Sequence, residues 1–137
     1  MRKQFLLIGI MVVSLVAGCG GGKYADVKDY MEKSIRIQEE YVAAIEKADS
    51  AGDIARAINK FAERLNAMKP QMKALMEKYP EIMMEKEPPS ELREVTARQM
   101  EMAAKIEKAS QLNVQPYTLD PVVVEATKNL SQAMGDH

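Results

Sequence analysis

Apolar side chains recur at helical spacing through most of the chain after residue 24. The clearest run has the spacing 4-3-4-3-4-3-4-3 and consists of Ile54, Ile58, Phe61, Leu65, Met68, Met72, Leu75, Tyr79 and Ile82. This heptad seam is typical of helices that pack at about 20° in bundles. Because the seam keeps its register on both sides of Pro70, we predict one continuous, kinked helix through that proline.

A first helix is predicted from about Ala25 to Asp49. Its apolar stripe is wide enough for two packing neighbours and includes Val27, Met31, Ile35, Val42 and Ile45, widened by Tyr30, Ile37, Tyr41 and Ala44. The segment from Ser50 to Asp53 predicts the break, with Ser50 capping the next helix and Asp53 three residues later. A link this short makes the first two helices antiparallel neighbours.

Two more helices follow a stop at Pro88 and Pro89. The third has Ser90 as its predicted cap and a seam of Leu92, Val95, Gln99, Met102, Ile106 and Ala109. A loop from Asn113 to Thr118 separates it from the fourth helix. There Asp120 is the predicted cap, Pro121 takes the first helical position and Leu119 is expected to pack on Val124. This last helix ends near Gly135.

The pattern therefore predicts an all-α fold, an antiparallel three- to four-helix bundle in one domain over residues 24–137. Abundant Met, Ala, Glu and Lys, with no Trp and only two Phe, agree with helices rather than strands. Since the predicted helices differ in length, one end of the bundle should contain only three helices. That end is either left open for a partner or ligand, or covered by the segment from Pro80 to Pro89.

The first 18 residues have the pattern of a cleaved secretory signal peptide. Arg2 and Lys3 supply positive charge, and an apolar stretch of about a dozen residues runs from Phe5 to Val16. A membrane-spanning helix needs roughly 20 apolar residues, so this stretch is too short for one. Small residues follow and lead to Cys19, which is the only cysteine.

The sequence Val16-Ala17-Gly18-Cys19 resembles the lipobox of bacterial lipoproteins. The resemblance implies cleavage before Cys19 and attachment of lipid to its thiol, so the membrane is the first expected partner. Residues 19–23 then form a lipidated, Gly-rich tether that spans at most about 14 Å. Gly20 after the cysteine resembles lipoproteins of the outer membrane, which implies a lipid-anchored position in the cell envelope, facing the periplasm.

Charge and motifs exclude several classes of function. The chain has 19 basic and 20 acidic side chains, and removal of the leader with Arg2 and Lys3 changes the net charge from -1 to -3. The sequence has no stripe of basic residues of the kind that would predict nucleic-acid binding. The single histidine is His137, and no nucleophile–base, phosphate-binding or zinc-protease motif occurs, so we do not expect an enzyme.

Residues 25–32 and 45–50 resemble the first helix and first turn of the soluble periplasmic four-helix cytochrome b family. That family clamps haem between a methionine early in helix 1 and a histidine late in helix 4. Met31 matches the methionine position, and His137 is the only candidate histidine. The resemblance therefore implies a four-helix fold and offers haem binding through Met31 and His137 as an alternative function.

Two hypotheses follow from the sequence. The first is a small envelope lipoprotein that acts without catalysis as a binding or structural module, needs no cofactor and meets a partner protein in the envelope. The second is a haem- or metal-binding bundle. Methionine spacing such as Met68, Met72 and Met76 also suits Cu(I), but two of these positions lie on the seam and predict core packing.

Overall fold

The computed structural model describes residues 22–135, and all regular secondary structure in this range is helical. Its five α-helices are α1 (Ala25–Lys47), α2 (Ala51–Lys78), α3 (Pro80–Met84), α4 (Arg93–Asn113) and α5 (Pro121–Gly135). The prediction of an all-α bundle is confirmed. The predicted leader, Cys19 and His137 lie outside the described residues. None of the helices in residues 22–135 has the length and apolar character needed to cross a bilayer.

Helix α2 starts and continues as its sequence predicts. Ser50 has an extended backbone, and its Oγ accepts a hydrogen bond from the Asp53 backbone N–H at 3.2 Å. The helix then runs through Pro70 without a break. Pro70 and Asn66, whose carbonyl loses its helical donor, are both exposed, so water can satisfy that carbonyl. The helix ends at Lys78 because Pro80 starts α3.

Two local predictions are wrong. Ser90 does not cap the third long helix, because residues 90–92 form a 3₁₀ turn and α4 begins at Arg93 without a side-chain cap. Leu119 is 93 % exposed and so makes no staple with Val124. A second 3₁₀ turn, Gln115–Tyr117, occupies part of the predicted loop after α4. Asp120 does bond its helix, accepting from the Val122 N–H at 3.1 Å.

The long helices alternate in direction along the chain. We call the end that contains Tyr24 and Tyr79 the base, and the end that contains Ser50 the top. The Tyr41 and Phe61 rings of α1 and α2 stack with centroids 4.5 Å apart, and the Tyr24 and Tyr79 rings meet at the base. Helices α1 and α2 are therefore antiparallel neighbours, as their short link predicts.

Helices α4 and α5 each pack beside a helix that runs in the same direction. Glu32 of α1 pairs with Arg98 of α4, with Oε1 and Nη1 3.7 Å apart. Asn129 of α5 donates to the Asn59 side chain of α2 at 3.1 Å. The bundle order is therefore α4, α1, α2, α5, and α4 and α5 make few contacts with each other. The side of the bundle between α4 and α5 is open.

Two hydrophobic clusters fill the interior. The upper cluster joins α1, α2 and α5 with Ala109 of α4, and its most buried members, at most 2 % exposed, are Ile45, Ile54, Ile58, Val123 and Ala126. The lower cluster joins α1, α4 and the segment around Tyr79, with Ile35, Leu92, Val95 and Met102 at its centre. Helix α5 contributes buried residues to the upper cluster and none to the lower one.

Candidate functional site

An open groove lies between the long helices, where α5 ends. It has a volume of about 520 Å³, in the range of ordinary ligand sites. We call it the groove, and its lining residues are Tyr30 and Gln38 of α1, Phe61, Leu65, Lys69 and Met72 of α2, Gln99, Ala103 and Ile106 of α4, and Ala133 and Met134 of α5. Most of this lining is apolar.

The groove exists because α5 is much shorter than α2. At 1.5 Å per residue, the 28 residues of α2 span about 42 Å and the 15 residues of α5 about 22 Å. The upper seam positions Ile54 and Ile58 are buried under α5, whereas Leu65 and Met72 are only half-buried. The lower half of the bundle thus presents core-type side chains without a fourth helix over them.

A smaller recess of about 150 Å³ continues the apolar surface toward the base. It shares Tyr30 and Met72 with the groove. Its other lining residues are Val27, Met31, Leu75, Met76, Tyr79, Ile82 and Met83. The segment from Pro80 to Pro89 was one candidate to cover this end of the bundle. Within it, Ile82 packs inward, while Met83 and Met84 are 67 % and 85 % exposed. That segment therefore borders the recess and leaves the groove open.

Few polar side chains line the groove. The position of one of them explains why the apolar seam of α4 contains a glutamine. Gln99 interrupts the apolar seam of α4 and is half-buried at the groove. Gln38 also lines it, and its Nε2 donates to the Ser34 Oγ at 3.2 Å. A polar residue on a seam is tolerated where that part of the seam faces a solvent-filled edge. These groups give a bound molecule hydrogen-bonding partners at the rim.

A cluster of tyrosines and charged groups closes the base. The Tyr79 hydroxyl lies 2.9 Å from two acceptors, the Lys23 carbonyl oxygen and Asp26 Oδ1. Lys78 Nζ lies 2.7 Å from Asp26 Oδ2. The Tyr24 and Tyr79 rings are T-shaped, with centroids 5.2 Å apart, and both residues are buried. This base cluster fixes the start of α1 to the end of α2.

Helix α3 is tied to the same chain start. Glu81 Oε1 lies 3.0 Å from Lys23 Nζ and accepts a 3.2 Å hydrogen bond from the Tyr24 hydroxyl. The Tyr24 backbone N–H donates to Glu91 Oε2 at 3.3 Å. Gly22 lies so close to the Glu91 carboxylate that a Cβ at residue 22 would overlap it. The point at which the chain enters the bundle is therefore fixed beside α3.

The hydrogen bonds at the base lower the pKa values of two carboxyl groups, those of Asp26 and Glu81. The Lys78 ammonium and then the Tyr79 hydroxyl lower the pKa of Asp26 against the opposing effect of desolvation. The Glu81 backbone N–H and the Lys23 ammonium likewise lower the pKa of Glu81. Since the folded pKa of Asp26 lies below its unfolded value, its stabilising contribution is present above the unfolded pKa and is lost as the pH falls through the folded one.

Tyr79→Phe should lower the free energy of unfolding by about 1 kcal/mol, because it removes a part-buried hydroxyl with two acceptors and keeps the ring. Urea unfolding followed by circular dichroism measures this loss near neutral pH. An unchanged urea midpoint for Tyr79→Phe would contradict the role given to the base cluster.

Asp26→Asn should flatten the loss of stability that begins below about pH 4, where the Asp26 carboxylate of the unfolded chain becomes protonated before that of the folded chain. Urea unfolding of both proteins at several pH values measures this difference.

The described residues include one of the three residues singled out from the sequence. Met31 is half-buried in the lower cluster and lines the recess, not the groove. Cys19 and His137 lie outside residues 22–135. Within that range no group of three His, Cys, Asp or Glu side chains forms a metal-binding arrangement. Met68 and Met102 are buried core residues, as the seams predict, while Met72 lines the groove.

The base cluster was not predicted. Its contacts join residues more than 50 positions apart, for example Tyr79 with Asp26, and the seam pattern marked Tyr79 only as an apolar position. The available signal was the position of two tyrosines, since Tyr24 directly precedes the predicted start of the first helix and Tyr79 lies near the lower end of the seam of its antiparallel neighbour.

No family model, no curated protein and no solved structure matches this chain.

Proposed function

We propose that the protein is a non-catalytic binding module, tethered to the envelope membrane through lipid on Cys19, whose groove accepts an amphipathic helix of an envelope partner. The observation that carries this proposal is the α2 seam, which continues below the end of α5 with Leu65 and Met72 half-buried in the groove. An apolar seam without its packing partner is the surface that helix-in-groove recognition uses.

The dimensions of the groove favour a helix as its occupant. Helix α2 exceeds α5 by 13 residues, which correspond to about 20 Å. The vacant position lies between α2 and α4, where a fourth helix would complete the lower half of the bundle. A partner helix with apolar residues at i, i+3 or i+4, and i+7 would meet Met72 and Leu65 from α2 and Ile106 from α4.

Side-chain chemistry supports binding rather than catalysis. Met72 and Met134 are unbranched and polarizable, so they can adapt to a partner surface. Gln38 and Gln99 supply polar contacts at the rim. Residues 22–135 contain neither cysteine nor histidine, so the nucleophile–base pairs that use those side chains are not available there.

Site-specific photo-crosslinking in native envelopes tests the proposal. A photoreactive residue at Met72 should capture one protein, and mass spectrometry should place the crosslink in a helical segment with an apolar face. The same probe at Leu119, which is 93 % exposed at the top, is the control and should not capture that protein. Adducts of equal yield at both positions, or an acyl chain as the adduct at Met72, would overturn the proposed occupant.

A second candidate function is haem binding by Met31 and His137. The apolar recess and groove form one surface, with Met31 at its lower part and Met134, three residues before His137, at its upper part. Of the two proposed axial ligands, the described residues include only the Met31 thioether, so they do not by themselves make this haem site. A Soret band in protein purified from its native membrane, lost in both Met31→Ala and His137→Ala, would replace the helix-binding proposal.

A further inference from the structure

We infer that Met83 and Met84, at the end of α3, insert into the interface of the lipid leaflet that holds the anchor. We call these two residues the α3 tip. The inference rests on the proposed lipid tether at Cys19 and adds a second point of contact with the membrane. Its observations are the exposure of the α3 tip and the contacts of the base cluster, whereas the groove proposal rests on Leu65 and Met72 of α2.

The exposure of the α3 tip is imposed by the fold. Tyr79, which precedes α3, is buried in the base cluster, and Ile82 packs against the lower hydrophobic cluster. With those two residues directed inward, Met83 and Met84 face outward and are 67 % and 85 % exposed. Met83 borders the recess, yet most of its side chain and most of the Met84 side chain stay uncovered on this five-residue helix.

The α3 tip lies at the end of the bundle where the tether enters. Lys23 and Tyr24 both contact Glu81 in the first turn of α3, and Gly22 lies against Glu91. Gly22 follows Cys19 by three positions, so a lipidated Cys19 can be at most about 11 Å from Gly22. The headgroup layer of one leaflet is about 5 to 8 Å thick. The short tether therefore holds the base against the headgroups.

Charge at the base indicates which lipids this contact uses. The charged side chains on and around α3 are mixed and mostly acidic: Lys23, Asp26, Lys78, Glu81, Glu85, Lys86, Glu87 and Glu91. A surface of this kind gains little from anionic headgroups. Apolar contact by the two methionines is therefore the source of attraction, and zwitterionic lipid should suffice.

Tryptophan fluorescence tests the inference cleanly, because the chain has no tryptophan of its own. Met84→Trp and Met83→Trp are each made in the full-length, lipidated protein, with Leu119→Trp at the exposed top as the matched control. The proteins are reconstituted into phosphatidylcholine vesicles with or without brominated acyl chains. Both α3 tip variants should emit at shorter wavelength than the control and be quenched by brominated lipid, with little effect of salt.

Two other outcomes distinguish insertion of the α3 tip from attachment through the tether. If the protein binds vesicles but Met83→Trp and Met84→Trp emit like the Leu119→Trp control and resist brominated lipid, the inference is overturned alone, and the tether and groove proposals stand. Protein that fails to float with the vesicles would overturn the tether and this inference together. Far-ultraviolet circular dichroism identifies any misfolded variant, and the second α3 tip variant then decides the result.

Discussion

Ile54→Ala should lower the free energy of unfolding by about 3 kcal/mol, a large part of the roughly 5 to 15 kcal/mol typical of a domain this size. Ile54 is fully buried in the upper cluster, between α1, α2 and α5. Truncation removes apolar contacts and leaves a cavity that the helix backbones cannot close. Urea unfolding monitored by circular dichroism in the far ultraviolet gives the difference in free energy.

Met72→Ala is the matched comparison because Met72 lies on the same seam of α2, about five turns below Ile54. Its side chain is half-buried at the groove, so part of it already faces water and the substitution should cost about 1 kcal/mol or less. The difference between the two variants measures how far the lower seam departs from a closed core. Equal losses at the two positions would contradict an open groove and with it the proposed binding surface.

The part of the fold that follows local rules could be predicted from sequence. Heptad spacing located α2 and its continuation through Pro70, because apolar burial on one face outweighs one missing backbone hydrogen bond on the exposed face. Ser50 and Asp53 marked a helix start correctly, since a cap depends only on residues three positions apart. The unequal helix lengths predicted that one end of the bundle would lack its fourth helix.

Predictions failed where distant packing decides local structure. Ser90 has the chemistry of a cap, yet residues 90–92 form a 3₁₀ turn that places Leu92 in the lower cluster at 2 % exposure. Burial of Leu92 determines how the chain enters α4. Leu119 was expected to pack on Val124, but Val123 is the residue of that turn that faces the core, so Val124 faces solvent. The spacing of apolar residues does not by itself determine which side of a helix's first turn faces the core.

The groove itself was only partly predictable. Sequence periodicity marked Leu65, Met72 and Gln99 as seam positions, and every seam position is expected in the core until the partner helix is placed. Which of them stay uncovered depends on where α5 lies, and parallel packing of α5 on α2 cannot be deduced from either helix alone. The base cluster likewise depends on the antiparallel register that brings Tyr79 to Asp26.

Cys19→Ala should abolish attachment of lipid and, where the leader is removed, release the chain from membranes to the soluble fraction. The thiol of Cys19 is the only one in the chain, so no other side chain can take its place. Each buried methylene of an acyl chain contributes about 0.8 kcal/mol, so loss of two or more chains removes nearly all of the membrane affinity. Cell fractionation and the intact mass of the mature N-terminus measure both effects.

Gly20→Ala is the control for this change, since it alters the neighbouring residue and keeps the thiol. A wild-type chain with its leader intact and its thiol unmodified would show that the apolar leader is the anchor and that the lipobox resemblance misleads.

If release does occur, the groove of Cys19→Ala should remain folded, because the base cluster begins at Lys23 and does not depend on the lipid. We propose that the tether raises the local concentration of the groove near membrane-bound partners. Crosslinking from position 72 should therefore fall in the released protein although the groove is unchanged.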